Sequence, residues 1–361
     1  MSRYGALYGP DVTFRGVGPC ALDEPGTYEG ADVVILGAPL GDGVGHRPGT
    51  RSGPATVCST GRGGPRPPRP SLPLRVDALR DLRVRDAGCV ELSGKDTEGD
   101  IAAIEEAVTM IARSGAVPFV LGGDHTIALP DITGVARHHG MGRISVMRFG
   151  AHAGTGEIAF GHPRGHGPPL RHLLESGAVR GDRVLPMGLR GHSPGPGTPD
   201  WIADHGIRGY AMSDVVTYGL DACLDEAMAT AVDDCDGVFL SVSLDVVDPG
   251  SAPGARTTGQ DGLTSRQLLD AVRRLAWELP VVGMDVAEGS PSYDRTDVTA
   301  FLGNRIVLEA LSGMAARRRG DTWRPARPLL EGHGTIAPRG SPAPQRPDLA
   351  SPMLTLAASA R

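Results

Sequence analysis

Residues 144–156 read ISVMRFGAHAGTG. Ile144 to Phe149 is a short, nearly continuous apolar run, the pattern of a parallel strand covered on both faces. It runs into Gly150, His152 and Gly154, at the place where open α/β sheets carry their chemistry, outside the carboxyl ends of the strands. On either side, β-branched runs alternate with helical periods: Ala31 to Leu36, Val117 to Leu121, Arg143 to Phe149, Arg183 to Met187, Val238 to Leu244 and Val281 to Asp285. Between two of them, Ile101, Ile104, Ala107, Val108 and Ile111 fall on one face of a helix predicted over 101–113. A second helix starts at Thr264, which forms a capping box with Gln267 and buries Leu268, Leu269, Val272 and Leu275. Strands separated by single helices imply right-handed crossovers, hence an α/β fold: a three-layer α/β/α sandwich with a mainly parallel sheet.

The chain has 361 residues, of which 40% are apolar, enough for a substantial core. The alternation favours one large domain over residues 31–315, preceded by an N-terminal segment, 1–30. Residues 61–75, GRGGPRPPRPSLPLR, read as a surface loop. The Pro/Arg-rich residues 316–361 read as a disordered tail, because they lack the apolar surface to offset the entropy of ordering them. A formal charge of −6 gives no reason to expect nucleic acid, so a small molecule is the default partner. Lys95 is the only lysine, which excludes Schiff-base chemistry elsewhere. Cys20, Cys58, Cys89, Cys223 and Cys235 are scattered without a CxxC pair, which argues against a disulfide framework and a structural zinc site. The N-terminus lacks the apolar stretch of a signal peptide, and no run approaches the ~20 apolar residues that span a bilayer. The expected setting is cytoplasmic, away from any membrane.

Five separated segments carry the chemistry. Residues 45–54, GHRPGTRSGP, follow the first strand; Leu121-Gly122-Gly123-Asp124-His125 follows the second; Gly150 to Gly154 follows the third. Then come Ser241-Val242-Ser243-Leu244-Asp245-Val246-Val247-Asp248-Pro249 with Ala252-Pro253-Gly254, and Gly283-Met284-Asp285-Val286-Ala287-Glu288-Gly289-Ser290-Pro291. In this order and spacing, over about residues 31–313, they resemble the ureohydrolases, the arginase and agmatinase family.

The resemblance implies an arginase-like fold and hydrolysis of a guanidino C–N bond with release of urea. Family members use a pair of manganese ions, held by two histidines and four aspartates, whose bound hydroxide attacks the guanidino carbon. His125 corresponds to the histidine of the GGDH motif, His152 to that of the Asp-Ala-His-x-Asp motif, and Asp245 to the second aspartate of the Asp-x-Asp motif. Gly150, Gly154 and Ser243 stand at the other three ligand positions, and those at 150 and 243 bridge both ions in the family. Bridging carboxylates screen two dications from each other, so their loss predicts that this chain holds at most one ion, on His125, His152 and Asp245. His166, in His166-Gly167-Pro168-Pro169, corresponds to the proton-shuttling histidine, and Glu288 to the carboxylate that seats the substrate guanidinium. Glu288 has the alternative of pairing with one of the many arginines. Glu157 and His162 are possible replacement ligands in a glycine-rich loop.

These residues predict a non-catalytic or weakly active homologue. The alternatives are an active agmatinase-like hydrolase of a linear guanidino compound with an altered metal centre, or a metal-free enzyme using His166 and Glu288 on a different substrate. The resemblance also implies a homo-oligomer, trimer or hexamer.

Overall fold

The computed structural model describes residues 13–41, 49–60, 70–155, 169–192 and 197–323. Its sheet comprises β1 (Gly18–Pro19), β2 (Val33–Ala38), β3 (Val84–Cys89), β4 (Val117–Gly122), β5 (Ile144–Phe149), β6 (Val184–Leu189), β7 (Tyr210–Ala211), β8 (Gly237–Ser243) and β9 (Val281–Ala287). The spatial order is β1-β3-β2-β4-β9-β8-β5-β6-β7. Every pairing is parallel. The six strands expected from apolar runs are present within about two residues of their expected ends.

Helices cover both faces, as parallel strands with buried faces require. Val34, Leu36, Val120, Ile144 and Val146 pack with the helix α1 (Thr97–Arg113) and the helix α2 (Ala128–His139). Val33, Ile35, Phe119, Met147 and Leu240 face the opposite layer, which holds α3 (Ser265–Glu278) and α4 (Val298–Arg318). The split follows the two-residue alternation of a strand. The capping box at α3 is formed: Gln267 N–H donates to Thr264 Oγ1 at 3.2 Å, and Thr264 N–H donates to Gln267 Oε1 at 2.9 Å. Leu268, Val272 and Leu275 are fully buried, each contributing roughly 1.5–3 kcal/mol of apolar transfer.

Three features depart from the sequence-based expectations. The N-terminal segment joins the sheet, since β1 pairs with β3 and Phe14 is fully buried. Of the expected loop at 61–75, Leu74 is buried in the core, while 61–69 lie outside the described residues. At the other end α4 runs to Arg318, and Trp323 packs edge-on against Trp277 with ring centroids 5.2 Å apart. The expected tail is therefore ordered to residue 323, and the remainder lies outside the described residues. No described helix is long and apolar enough to cross a membrane.

Four adjacent strands, β4-β9-β8-β5, position the site. The chain leaves β5 toward β6 and later leaves the neighbouring β8 in the opposite direction, toward β9, and such a divergence opens a crevice at the carboxyl ends.

Candidate active site

Each of those four strands delivers a polar group to the crevice. After β4 the backbone turns tightly: a Cβ on Gly123 would lie 1.7 Å from the Leu40 carbonyl oxygen, so only glycine fits. Asp124 then caps a short 3₁₀ turn, accepting from Thr126 N–H at 3.0 Å, and presents His125. After β5 come His152 and Gly154; after β8, Asp245; after β9, Glu288. His125, Asp245 and Glu288 are buried, and all four residues line one cavity of about 1060 Å³. The structure thus brings together four of the five expected site residues. His166, like Glu157 and His162, lies outside the described residues.

The surviving donors are already engaged with one another. His125 Nε2 lies 2.7 Å from Ser241 Oγ, and that hydroxyl donates to Asp285 Oδ1 at 3.1 Å. With the Ser241 hydroxyl donating to Asp285, the hydrogen bonds are consistent with a donor at Nε2 and a lone pair at Nδ1. That lone pair accepts from Arg148 Nη2 at 3.2 Å. His152 Nδ1 donates to Asp245 Oδ2 at 2.8 Å, and Ala151 N–H donates to Asp245 Oδ1 at 3.1 Å. Burial opposes the charge on Asp245, yet the bond and charge of His152, with the Ala151 amide, bring its carboxyl down to about 2.

Arg148 was not expected from sequence. It lies in β5, two residues before Gly150 and therefore on the same strand face. Its guanidinium, with the residue only 7% exposed, lies in contact with both His125 and His152, donating from Nη1 to the His152 carbonyl. A Cβ on Gly150 would lie 3.2 Å from Nη1, and one on Gly154 would lie 3.5 Å from Nη2. The cation therefore occupies the side of the crevice beside Gly150 and Gly154. Burial pushes the guanidinium below its ordinary value, against the pull of Asp245, Asp285 and Glu288. A charged residue inside an otherwise apolar strand was the available signal, and the strand pattern concealed it.

Glu288 has an internal partner as well. Arg256 Nη1 donates to its Oε1 at 3.3 Å, and His125 N–H donates to the same oxygen at 2.8 Å. The backbone there is left-handed, φ 70°, a costly conformation for a non-glycine residue, and it is held by Glu288 N–H donating to the Gly123 carbonyl at 2.8 Å. Burial raises the carboxyl above its usual range; Arg256 opposes this, and the charges of Asp124 and Asp245 add to it. The alternative weighed for Glu288, pairing with an arginine of the chain, is the arrangement present.

Positions 150, 154 and 243 carry no carboxylate, His125 Nδ1 is taken by Arg148, and both Asp245 oxygens are taken by groups at the end of β5. Among the described residues no group of three or more histidine, cysteine, aspartate or glutamate side chains is arranged to hold a metal.

An all-parallel sheet with histidine, aspartate and glutamate at the carboxyl ends of four neighbouring strands is the arrangement expected of a ureohydrolase-like α/β protein. The match extends to a family model: residues 31–313 match the Arginase family, and the chain belongs to it. It is 32% identical to the proclavaminate amidinohydrolase of Streptomyces clavuligerus over 80% of this chain and 90% of that one. The solved structure of that enzyme superposes with a TM-score of 0.75 at 28% identity, covering 87% of this chain and 100% of the other. Mitochondrial agmatinase of Gallus gallus is 31% identical over 86% of this chain and 90% of its own length. A crystal structure of Trypanosoma cruzi formiminoglutamase with Mn2+ superposes with a TM-score of 0.71 at 25% identity, covering 80% of this chain and 94% of that one.

Proposed function

We propose that this chain is an arginase-family protein that works without the binuclear manganese centre, a non-catalytic or weakly active homologue that retains a small-molecule cleft. One observation carries the reading: a buried guanidinium, Arg148, holds the Nδ1 lone pair of His125 and donates to the main-chain carbonyl of His152. Metal-assisted hydrolysis needs a bound hydroxide on an exposed Lewis acid. A covalently attached monocation with no open coordination position supplies none. Its charge does partly offset the buried carboxylates that the fold keeps at this spot.

The seat for a substrate guanidinium is also compromised on this reading. Glu288 already carries the Arg256 guanidinium, so a guanidino compound would have to displace an intramolecular partner. Relatives named guanidino acid hydrolase, from Homo sapiens, and guanidinobutyrase, from Pseudomonas aeruginosa, support a guanidino compound as the ancestral type of substrate.

Elemental analysis of the purified protein, paired with a urea-release screen over agmatine, arginine and guanidino acids, tests the proposal. Substoichiometric metal with no urea above the uncatalysed level is expected. Two manganese ions per chain together with urea release would overturn it.

A further inference from the structure

We propose that the cleft is a carboxylate-binding site in which the Arg148 guanidinium grips a ligand carboxylate beside Gly150 and Gly154. This inference rests on the preceding reading, since a manganese pair would require Arg148 to leave. Arg148 is more than nine-tenths buried, yet only two of its five N–H donors are engaged among the described residues, by the His152 carbonyl and His125 Nδ1. Among those residues it also makes no ion pair; Asp245, Asp285 and Glu288 act on it only from a distance. Burying an ion is expensive unless a counter-ion meets it, and the Arg148 guanidinium lines the cavity with donors to spare. A guanidinium in that state at the floor of a cavity is a receptor for an anion.

Geometry narrows the class. The terminal nitrogens Nη1 and Nη2 face the two positions where side chains are lacking, at 3.2 Å and 3.5 Å from would-be Cβ atoms. A planar carboxylate lying there matches the fork of a guanidinium with two parallel hydrogen bonds. It would occupy the volume that an aspartate side chain at position 150 or 154 would fill. The three nearby acids repel any second negative charge, which favours a monoanion over phosphate or sulfate dianions. Beyond Arg148 the cavity wall includes Leu189, Pro199, Ile202, Ile207 and Met212, so the carboxylate should carry an apolar body.

The experiment uses the full chain, with metal content measured on the same sample. Acetate and butyrate are titrated against chloride at constant ionic strength, followed by thermal unfolding and calorimetry, with phosphate as the comparator. Saturable stabilisation is expected from both carboxylates, tighter for butyrate, and at least tenfold weaker in Arg148→Gln. Gly150→Asp supplies the carboxylate within the chain, so it should unfold at a higher temperature and no longer respond to acetate; this arm stands even if Arg148→Gln fails to fold. Absence of saturable carboxylate binding in metal-free protein overturns the inference alone, as does equal binding by Arg148→Gln, or binding of phosphate without carboxylates. A manganese pair in the sample would instead overturn the preceding reading.

Discussion

Restoring the missing ligands should not by itself restore a metal centre, because Arg148 would compete for them. In the triple variant Gly150→Asp, Gly154→Asp, Ser243→Asp, two of the new carboxylates start from Cβ positions 3.2 and 3.5 Å from the guanidinium. At roughly 4 Å and an effective dielectric of about 20, each such pair is attracted by about 4 kcal/mol. Breaking even one of them to admit a dication costs about 4 kcal/mol, or roughly a thousandfold in apparent manganese affinity at about 1.4 kcal/mol per decade. The left-handed backbone at Gly154, φ 69°, adds a strain of about 1–2 kcal/mol, which is common to any variant carrying aspartate there and cancels from the comparison. Adding Arg148→Ala should therefore tighten manganese binding by about three orders of magnitude relative to the triple variant. Metal content after dialysis and a manganese-dependent rise in unfolding temperature are the assays. If the triple variant alone takes up a full manganese pair, the reasoning about Arg148 is wrong.

Three further outcomes follow from the buried charges. Arg256→Ala removes the group that holds the Glu288 carboxyl down, so its folded value rises further; the destabilisation, read from unfolding temperatures, should be larger at pH 8 than at pH 5, and Glu288→Gln in the same background should abolish that difference. Burial and the charge of Asp285 push the Asp131 carboxyl well above the carboxylate range. A raised folded value makes this group a source of instability that appears as pH rises past its unfolded value. Asp131→Asn should thus stabilise the protein at pH 8 and change little at pH 4 in denaturant titrations. Glu309 is buried and accepts from Arg273 Nε and Arg305 Nε, both at 2.6 Å, joining α3 to α4. Glu309→Ala leaves Arg273 without its buried partner and should cost about 3–5 kcal/mol by urea denaturation.

Periodicity made the central strands legible because both their faces are buried, and α1 and α3 because each buries a single apolar face. β3 was missed because Arg83, Arg85 and Asp86 interrupt its apolar pattern. β1 and β7, two residues each, are too short to carry a period. Motif order singled out His125, His152, Asp245 and Glu288, which the structure sets around one crevice, since each follows a strand whose end is marked in the sequence. What occupies the space between them was not legible. Arg148 reads as one irregular residue in an apolar run until the crevice is assembled around it. The contact of Arg256 with Glu288 spans 32 residues of chain and a loop whose course no local pattern specifies.

Arg190, which follows β6, donates to the main-chain carbonyls of Asp245, Val246, Val247, Gly259 and Gln260. One side chain thereby acts as a clasp between two stretches of backbone that share no strand. The shape of the segment carrying Asp245 is dictated from outside that segment, so its side chains can be exchanged while the path of the chain stays the same. Lysine could not do this job, because three donors on a single nitrogen cannot spread across five oxygens as the wide planar fork of a guanidinium does. Loss of Arg190 would remove five of the hydrogen bonds that tie the crevice floor to the end of β6.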